Sequence, residues 1–237
     1  MTAADKTANK HVITRERLLD GSLAAEFRAN TPPGYYTRSE QELAESLAQT
    51  LAQRPEPADR DVFVFGYGSL MWNPALEIVR SCHAILHGYS RRFCLKLMRG
   101  RGSPDKPGVM LALDRGGSCH GLALQLAAAT APDELRLLWR REMLSDAYVA
   151  RWVTVRIQGK PVSALTFVIN RNNPRYLGKL PLETIAEMLL RGVGDLGTNC
   201  EYFDATRASL RELGMRDSGL ERLNKVLQLV RAAAVQR

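Results

Sequence analysis

The sequence predicts an α+β fold, and three observations predict it. Short apolar runs of strand length fill residues 61–127, one amphipathic helix follows at about 131–144, and the chain beyond residue 181 returns to helical periodicity. Strands and helices do not alternate regularly, which argues against a doubly wound parallel sheet. The 237 residues suffice for one sizeable domain, or for a domain with an appended segment.

Taken in order, residues 1–60 read as a helical preface. Ser39 followed by Glu42 is a capping-box pattern, and Leu43, Leu47 and Leu51 then recur every fourth residue as one apolar stripe. Pro55 and Pro57 stop that helix and mark a linker. Val62-Phe63-Val64-Phe65 is a wholly apolar run ending at Gly66, as expected of a buried strand. Phe93, Leu95 and Leu97 alternate in a later strand, residues 110–113 form another run, and Leu122, Leu124 and Leu126 alternate in a half-buried strand. Gly100, Gly102, Gly116 and Gly117 read as turns between these runs. Thr130 and Pro132 mark the start of the central helix. Strands resume at 149–157 and 164–169, and a loop covers 170–180. Leu182, Ile185 and Leu189 share a helix face that Gly192 and Gly194 terminate. Two further helices are predicted at 199–213 and 218–234.

Composition narrows the function. No apolar run reaches 18 residues, so no membrane-spanning helix is expected. The polar stretch from Met1 to Asn9 lacks the apolar core of a secretion signal. Cys82, Cys94, Cys119 and Cys200 form no Cys-x-x-Cys pair. This speaks against a zinc site or disulfide framework and for a reducing, cytoplasmic compartment. His11, His83, His87 and His120 lack metal-ligand spacing, so no metal or cofactor is expected. Net charge is +8, with Arg91, Arg92, Lys96, Arg99, Arg101 and Lys106 clustered and opposed only by Asp105. Three readings are open: a solvated basic face, attraction of a small anionic substrate, or nucleic-acid binding. The last has no helix-turn-helix, zinc-finger or aromatic RNA-binding motif behind it.

Glu142 stands out. With Leu135 at zero and about 100° per residue, it falls near −20°, inside the apolar stripe of Leu138, Trp139 and Met143. Leu137 and Leu144 point outward, and Glu134, Arg140 and Arg141 lie on the flanks or the opposite face. A carboxyl on an apolar face is neutralised, hydrogen-bonded or paired. Desolvation would raise its pKa and suit it to proton transfer near neutral pH. The alternative is a structural pair with one of the many arginines.

The second feature is Phe65-Gly66-Tyr67-Gly68-Ser69-Leu70, directly after the first core strand. Two glycines flanking a tyrosine permit positive φ and close approach of a ligand to the backbone. Successive free N–H groups would make an anion cradle or steady an oxyanion. A plain tight turn is the competing reading. The pattern matches neither a phosphate-binding loop nor a dinucleotide fingerprint, and Ser69 is not in a nucleophile elbow.

Val64-Phe65-Gly66-Tyr67-Gly68-Ser69-Leu70, continued by Met71-Trp72-Asn73-Pro74, resembles the signature loop of the ChaC-type glutathione-specific γ-glutamylcyclotransferases. The resemblance runs on through Arg91-Arg92-Phe93, Pro107-Gly108, Leu138-Trp139-Arg140-Arg141-Glu142-Met143, Tyr176-Leu177-Gly178 and Gly197-Thr198-Asn199-Cys200-Glu201-Tyr202. It covers most of 62–223, and residues 12–60 resemble the N-terminal extension of bacterial members. It implies a small mixed β-barrel with flanking helices, divided as a 1–60 extension and a 61–237 catalytic domain. It implies a lyase that cleaves glutathione to 5-oxoproline and cysteinylglycine. It also implies Glu142 as the catalytic residue, residues 64–69 with Leu70 as the substrate-binding loop, and Tyr202 near the substrate. Met143-Leu144 stands where some relatives have Lys-Gly, and Cys200 and Phe203 also depart from other members. Two rival expectations are the same chemistry on other γ-glutamyl amides or amines, and a non-enzymatic regulator of a cation transporter that docks through the stripe of the 39–53 helix.

Overall fold

The computed structural model describes residues 13–235 apart from 33, 34 and 58, so the readings for His11 and the first nine residues lie outside the described residues. Three helices come first: α1 (Arg15–Leu19), α2 (Ser22–Ala29) and α3 (Glu40–Ala52). The Ser39 hydroxyl accepts from the Glu42 N–H at 3.2 Å, and the Glu42 carboxylate accepts from the Ser39 N–H at 2.8 Å. Leu43 and Leu47 are buried in the same apolar core as the barrel strands. The stripe is therefore not the exposed docking surface that the transporter reading requires: apolar side chains spaced four apart are covered by the chain's own core.

Five strands form a closed barrel in the order β1-β3-β2-β4-β5. They are β1 (Val62–Gly66), β2 (Arg80–Leu97), β3 (Gly108–Leu126), β4 (Tyr148–Ile157) and β5 (Lys160–Ile169). Neighbours pair antiparallel except where β1 meets β5 in parallel at Val64↔Leu165 and β3 touches β5 at Leu113↔Val168. The sheet is thus mixed, and closure leaves it few unpaired edges.

Gly116 and Gly117 do not divide two strands, as the sequence reading had it, because β3 runs through them. Their φ values of +100° and +78°, with +84° at Gly88 and a register shift between His87 and Tyr89 on the facing strand, make a paired bulge. Left-handed backbone lets the long β2–β3 ribbon bend around the barrel without losing its ladder.

The central helix α4 (Ala131–Glu142) packs on the barrel through Trp139, whose ring meets Phe167 at 5.6 Å. Its other side carries α1 and α3: Arg15 donates to Glu134 at 2.7 Å, and Trp139 Nε1 donates to Ser46 Oγ at 3.3 Å. Burial on two sides corrects three details of the helical projection. Leu137 and Leu144 are buried rather than outward, and Glu134 is 1% exposed rather than on a solvated flank. Beyond the barrel lie α5 (Leu182–Arg191), the short pair β6 (Val193–Gly194) and β7 (Gly197–Thr198), α6 (Asn199–Glu212) and α7 (Ser218–Val235).

Candidate active site

The site is assembled where α4 ends. Glu142 is its final residue, and the following chain is tied to the N-terminal segment by Arg38. The Arg38 backbone N–H donates to Leu144 O at 2.8 Å, and its guanidinium donates to Met143 O at 2.8 Å and Ser145 O at 2.6 Å. The turn that presents the Glu142 side chain is thus held from both sides.

Arg141 joins that side chain to the glycine-rich loop. Its Nε donates to Glu142 Oε1 at 2.9 Å and its Nη2 to Ser69 Oγ at 2.9 Å, while Nη1 donates to Asn73 O and, at 3.0 Å, to Pro74 O. The Arg141 side chain is 2% exposed and that of Glu142 18%. Glu142 is therefore a paired carboxylate, so the structural-pair alternative is correct in its geometry. Its partner is also the clamp on the loop, so the ion pair and the site are one construction. A buried guanidinium needs such a full set of acceptors, and its planar fork supplies the angles.

The loop leaves β1 and makes a single turn of 3₁₀-helix at Ser69–Met71. Met71 N donates to Gly68 O at 2.9 Å and Asn73 N to Ser69 O at 2.8 Å. Among the described residues, the N–H groups of Gly68, Ser69 and Leu70 donate to no other group, as the first amides of a helical turn must. These are the amides to which the sequence reading gave an anion cradle. Neither Gly66 nor Gly68 has positive φ. Their role is close approach: a Cβ on Gly66 would stand 3.0 Å from Leu70 Cβ, and one on Gly68 would stand 3.0 Å from the Tyr202 hydroxyl. Val64 and Phe65 are fully buried and serve as β1 core residues behind the loop. Tyr67 and Leu70 are buried, and Ser69 is half-buried.

Three phenols share the neighbourhood of the Glu142 carboxylate. Burial first, and then that carboxylate, push the hydroxyls of Tyr148 and Tyr202 above the ordinary phenol range; burial, Tyr148 and Glu142 do the same to Tyr67. All three are held as neutral hydroxyls. Tyr67 donates to Phe167 O at 2.9 Å and Tyr148 to Leu111 O at 3.3 Å, which fixes both rings in the barrel. Tyr202 stacks on Phe93 edge-on at 6.3 Å and on Trp72 at 5.9 Å.

The structure thus brings Glu142, the 67–70 turn and Tyr202 together. Sequence reasoning missed Arg141, Tyr148 and Arg38. Arg141 adjoins Glu142, but a helical projection sends adjacent residues to different faces and so scored it as solvated. Arginines of the basic cluster have internal partners. Arg91 pairs with Asp217 at 3.1 Å and donates to Tyr67 O at 2.6 Å, and Arg101 donates to Thr198 O at 2.9 Å. Among the described residues no group of His, Cys, Asp and Glu could hold a metal ion. A cavity of about 610 Å³ lies elsewhere, between β2, α5 and the start of α7; Arg91 and Arg92 of the basic cluster line it, and Glu142, Tyr202 and residues 64–70 do not.

The closed mixed barrel is a fold that solved structures share. A glutathione-specific γ-glutamyl cyclotransferase from yeast has a TM-score of 0.66 at 19% identity, covering 71% of this chain and 96% of that one. A family profile described as ChaC-like protein matches residues 62–232. The glutathione-specific gamma-glutamylcyclotransferase of Escherichia coli (strain K12) is 40% identical over 213 residues, 90% of each chain. Glutathione-specific gamma-glutamylcyclotransferase 1 of Homo sapiens is 35% identical over 176 residues, 68% of this chain and 79% of that one. The chain belongs to the ChaC-like family.

Proposed function

We propose that this chain is a lyase that cleaves glutathione into 5-oxoproline and cysteinylglycine in the cytoplasm, with Glu142 moving the proton. Relatives that bear this activity in their names, at 40% and 35% identity, support the substrate. The observation that carries the mechanism is the Arg141 clamp, which holds the Glu142 carboxylate against the loop that presents three free amides.

The substrate's α-amine attacks its own γ-carbonyl carbon. A ring C–N bond forms, the carbonyl oxygen takes negative charge, and the C–N bond to cysteine then breaks. Glu142 accepts the proton the amine loses and returns it to the departing cysteinyl amine, so the cycle closes without a protein nucleophile. Holding the folded-back rotamer recovers part of the ~7–11 kcal/mol that orientation can supply. The amides of Gly68, Ser69 and Leu70 steady the oxyanion, where one donor of this kind is worth ~2.7–4 kcal/mol. The neutral hydroxyl of Tyr202, beside Gly68, contributes to substrate binding. We assign residues 61–237 as the catalytic domain and 1–60 as an extension that supports it.

Four free thiols fit a reducing compartment, and no described helix is long and apolar enough to cross a membrane. The internal partners of Arg91 and Arg101 favour a small-molecule substrate over nucleic acid.

Glu142→Gln preserves volume and one hydrogen bond to Arg141. It is expected to fold, by circular dichroism, and to lose 5-oxoproline release from glutathione by at least about 100-fold, the scale of a lost acid–base group. Near-normal turnover in the folded variant rejects the assignment.

A further inference from the structure

Glutathione carries a second carboxylate, on its C-terminal glycine, distant from the γ-glutamyl carbon. Three arginines beside the site have no carboxylate partner within salt-bridge distance among the described residues: Arg38, whose guanidinium is taken up by the Met143 and Ser145 carbonyls, and Arg99 and Arg175. Arg99 is half-buried, with its guanidinium 3.3 Å from the centroid of the Phe27 ring, and donates to Phe27 O at 2.6 Å and Thr31 Oγ1 at 3.0 Å. Arg175 is buried, 4.8 Å from the centroid of the Tyr35 ring, and donates to Ser145 Oγ at 2.9 Å and Asn173 Oδ1 at 3.3 Å. All these acceptors are neutral. The Tyr35 hydroxyl is buried and, among the described residues, has no hydrogen-bond partner.

Such a cluster is costly by itself. Two like charges, one buried and one half-buried, and a buried hydroxyl are packed together with no anion in contact with them. Burial pushes the Arg99 guanidinium down to about 10 and lowers that of Arg175 as well. Tyr35 feels both charges, and Arg175 also acts on Tyr148, the phenol that neighbours Glu142. The cluster joins the turn after Glu142 through the Arg175–Ser145 bond, and Arg38 holds the same turn. Asp195, Glu26 and Asp146 lie near enough to exert a field on one or other arginine, but none contacts either guanidinium.

We propose that Arg99, Arg175 and Tyr35 form a carboxylate subsite that binds the C-terminal carboxylate of the tripeptide substrate, and that the N-terminal segment thereby completes the site. This rests on the proposed cleavage of glutathione. With the γ-glutamyl amine at Glu142, the α-carboxylate on the same carbon remains at the loop. The carboxylate at the far end of the peptide lies two residues away, a reach of roughly 7 Å or more, and Arg175 is anchored at Ser145, three residues beyond Glu142. The subsite selects a free C-terminal carboxylate over other γ-glutamyl amides.

The test compares glutathione with its glycinamide analogue, which differs only in that carboxylate. Loss of a charge-assisted contact is worth about tenfold or more in binding. Wild type is expected to favour glutathione by at least about tenfold in kcat/KM. Arg99→Met is expected to raise KM for glutathione by about tenfold, leave kcat and the KM for the analogue nearly unchanged, and so erase the preference. Tyr35→Phe, which keeps the ring under Arg175, gives a smaller shift in the same direction. These variants spare the Arg175 bonds to Ser145 and Asn173, so the outcome does not depend on Arg175 substitutions folding. Equal use of the two substrates by wild type, or an intact preference in Arg99→Met, overturns the subsite while leaving the cyclotransferase reading in place. Absence of 5-oxoproline from both substrates with wild type overturns both.

Discussion

Replacing Arg141 by methionine keeps the length and apolar stem of the side chain and removes the fork that joins Glu142 to the loop. Four acceptors lose their donor: Glu142 Oε1, Ser69 Oγ, Asn73 O and Pro74 O. The arginine side chain is 2% exposed, so water does not replace it without local opening. Removing one partner of a buried ion pair costs ~3–5 kcal/mol. For a chain of this size that corresponds to a fall in Tm of roughly 6–20 °C, at about 2–4 °C per kcal/mol. Activity should suffer more than KM, because the carboxylate and the amide cradle lose their common anchor. We expect kcat to drop by at least about 100-fold, since a displacement near 1 Å at a reacting centre has that scale. Arg141→Lys supplies one point charge for acceptors spread over the fork and should restore part of the stability and little of kcat. The assays are urea unfolding and 5-oxoproline release on the same preparations. An Arg141→Met protein within 1 kcal/mol of wild type, by the scale of surface substitutions, and with unchanged kcat refutes the clamp.

Two further outcomes follow from the contacts around α4. Arg38→Ala frees the carbonyls of Met143 and Ser145, each a charge-assisted bond of ~1.5–3 kcal/mol. It should lower kcat with a modest stability loss, whereas an unchanged kcat would show that the turn after Glu142 is held without it. Burial favours a raised pKa for Glu134, but bonds from Arg15 and the Glu77 N–H outweigh it and hold the carboxyl below its usual 4.5. A depressed folded-state pKa contributes stability above about pH 4.5 and loses it as pH falls through the folded value. Glu134→Gln should therefore be less stable than wild type at pH 7 and show a flatter decline in urea midpoint below pH 4.5. An identical slope would contradict the linkage.

The architecture was legible where local pattern and burial agree. The apolar run 62–65, the Ser39 cap and the helices near 182, 199 and 218 needed only periodicity and punctuation. The β2–β3 ribbon was less legible, because glycines that bend a paired ribbon look the same in sequence as glycines that end a strand. The α4 projection placed Glu142 inward but misjudged Leu137 and Glu134, since one stripe cannot represent a helix covered on two sides. The closed barrel came from family resemblance and not from spacing. The proximity of Arg141 to Ser69 and of Arg38 to the turn after Glu142 joins segments 72 and about 105 residues apart, which no local rule reaches.

Barrel closure also orders events in time. β1 has β3 on one side and β5 on the other, and the Val64↔Leu165 contact spans about 100 residues. During synthesis the strand that carries the glycine-rich loop emerges early, yet one of its flanks stays unpaired until β5 has followed. Long-range pairing of this kind forms slowly. A nascent or truncated chain lacking β5 therefore leaves one edge of an apolar strand exposed. Completion of the wall and burial of that strand become one event.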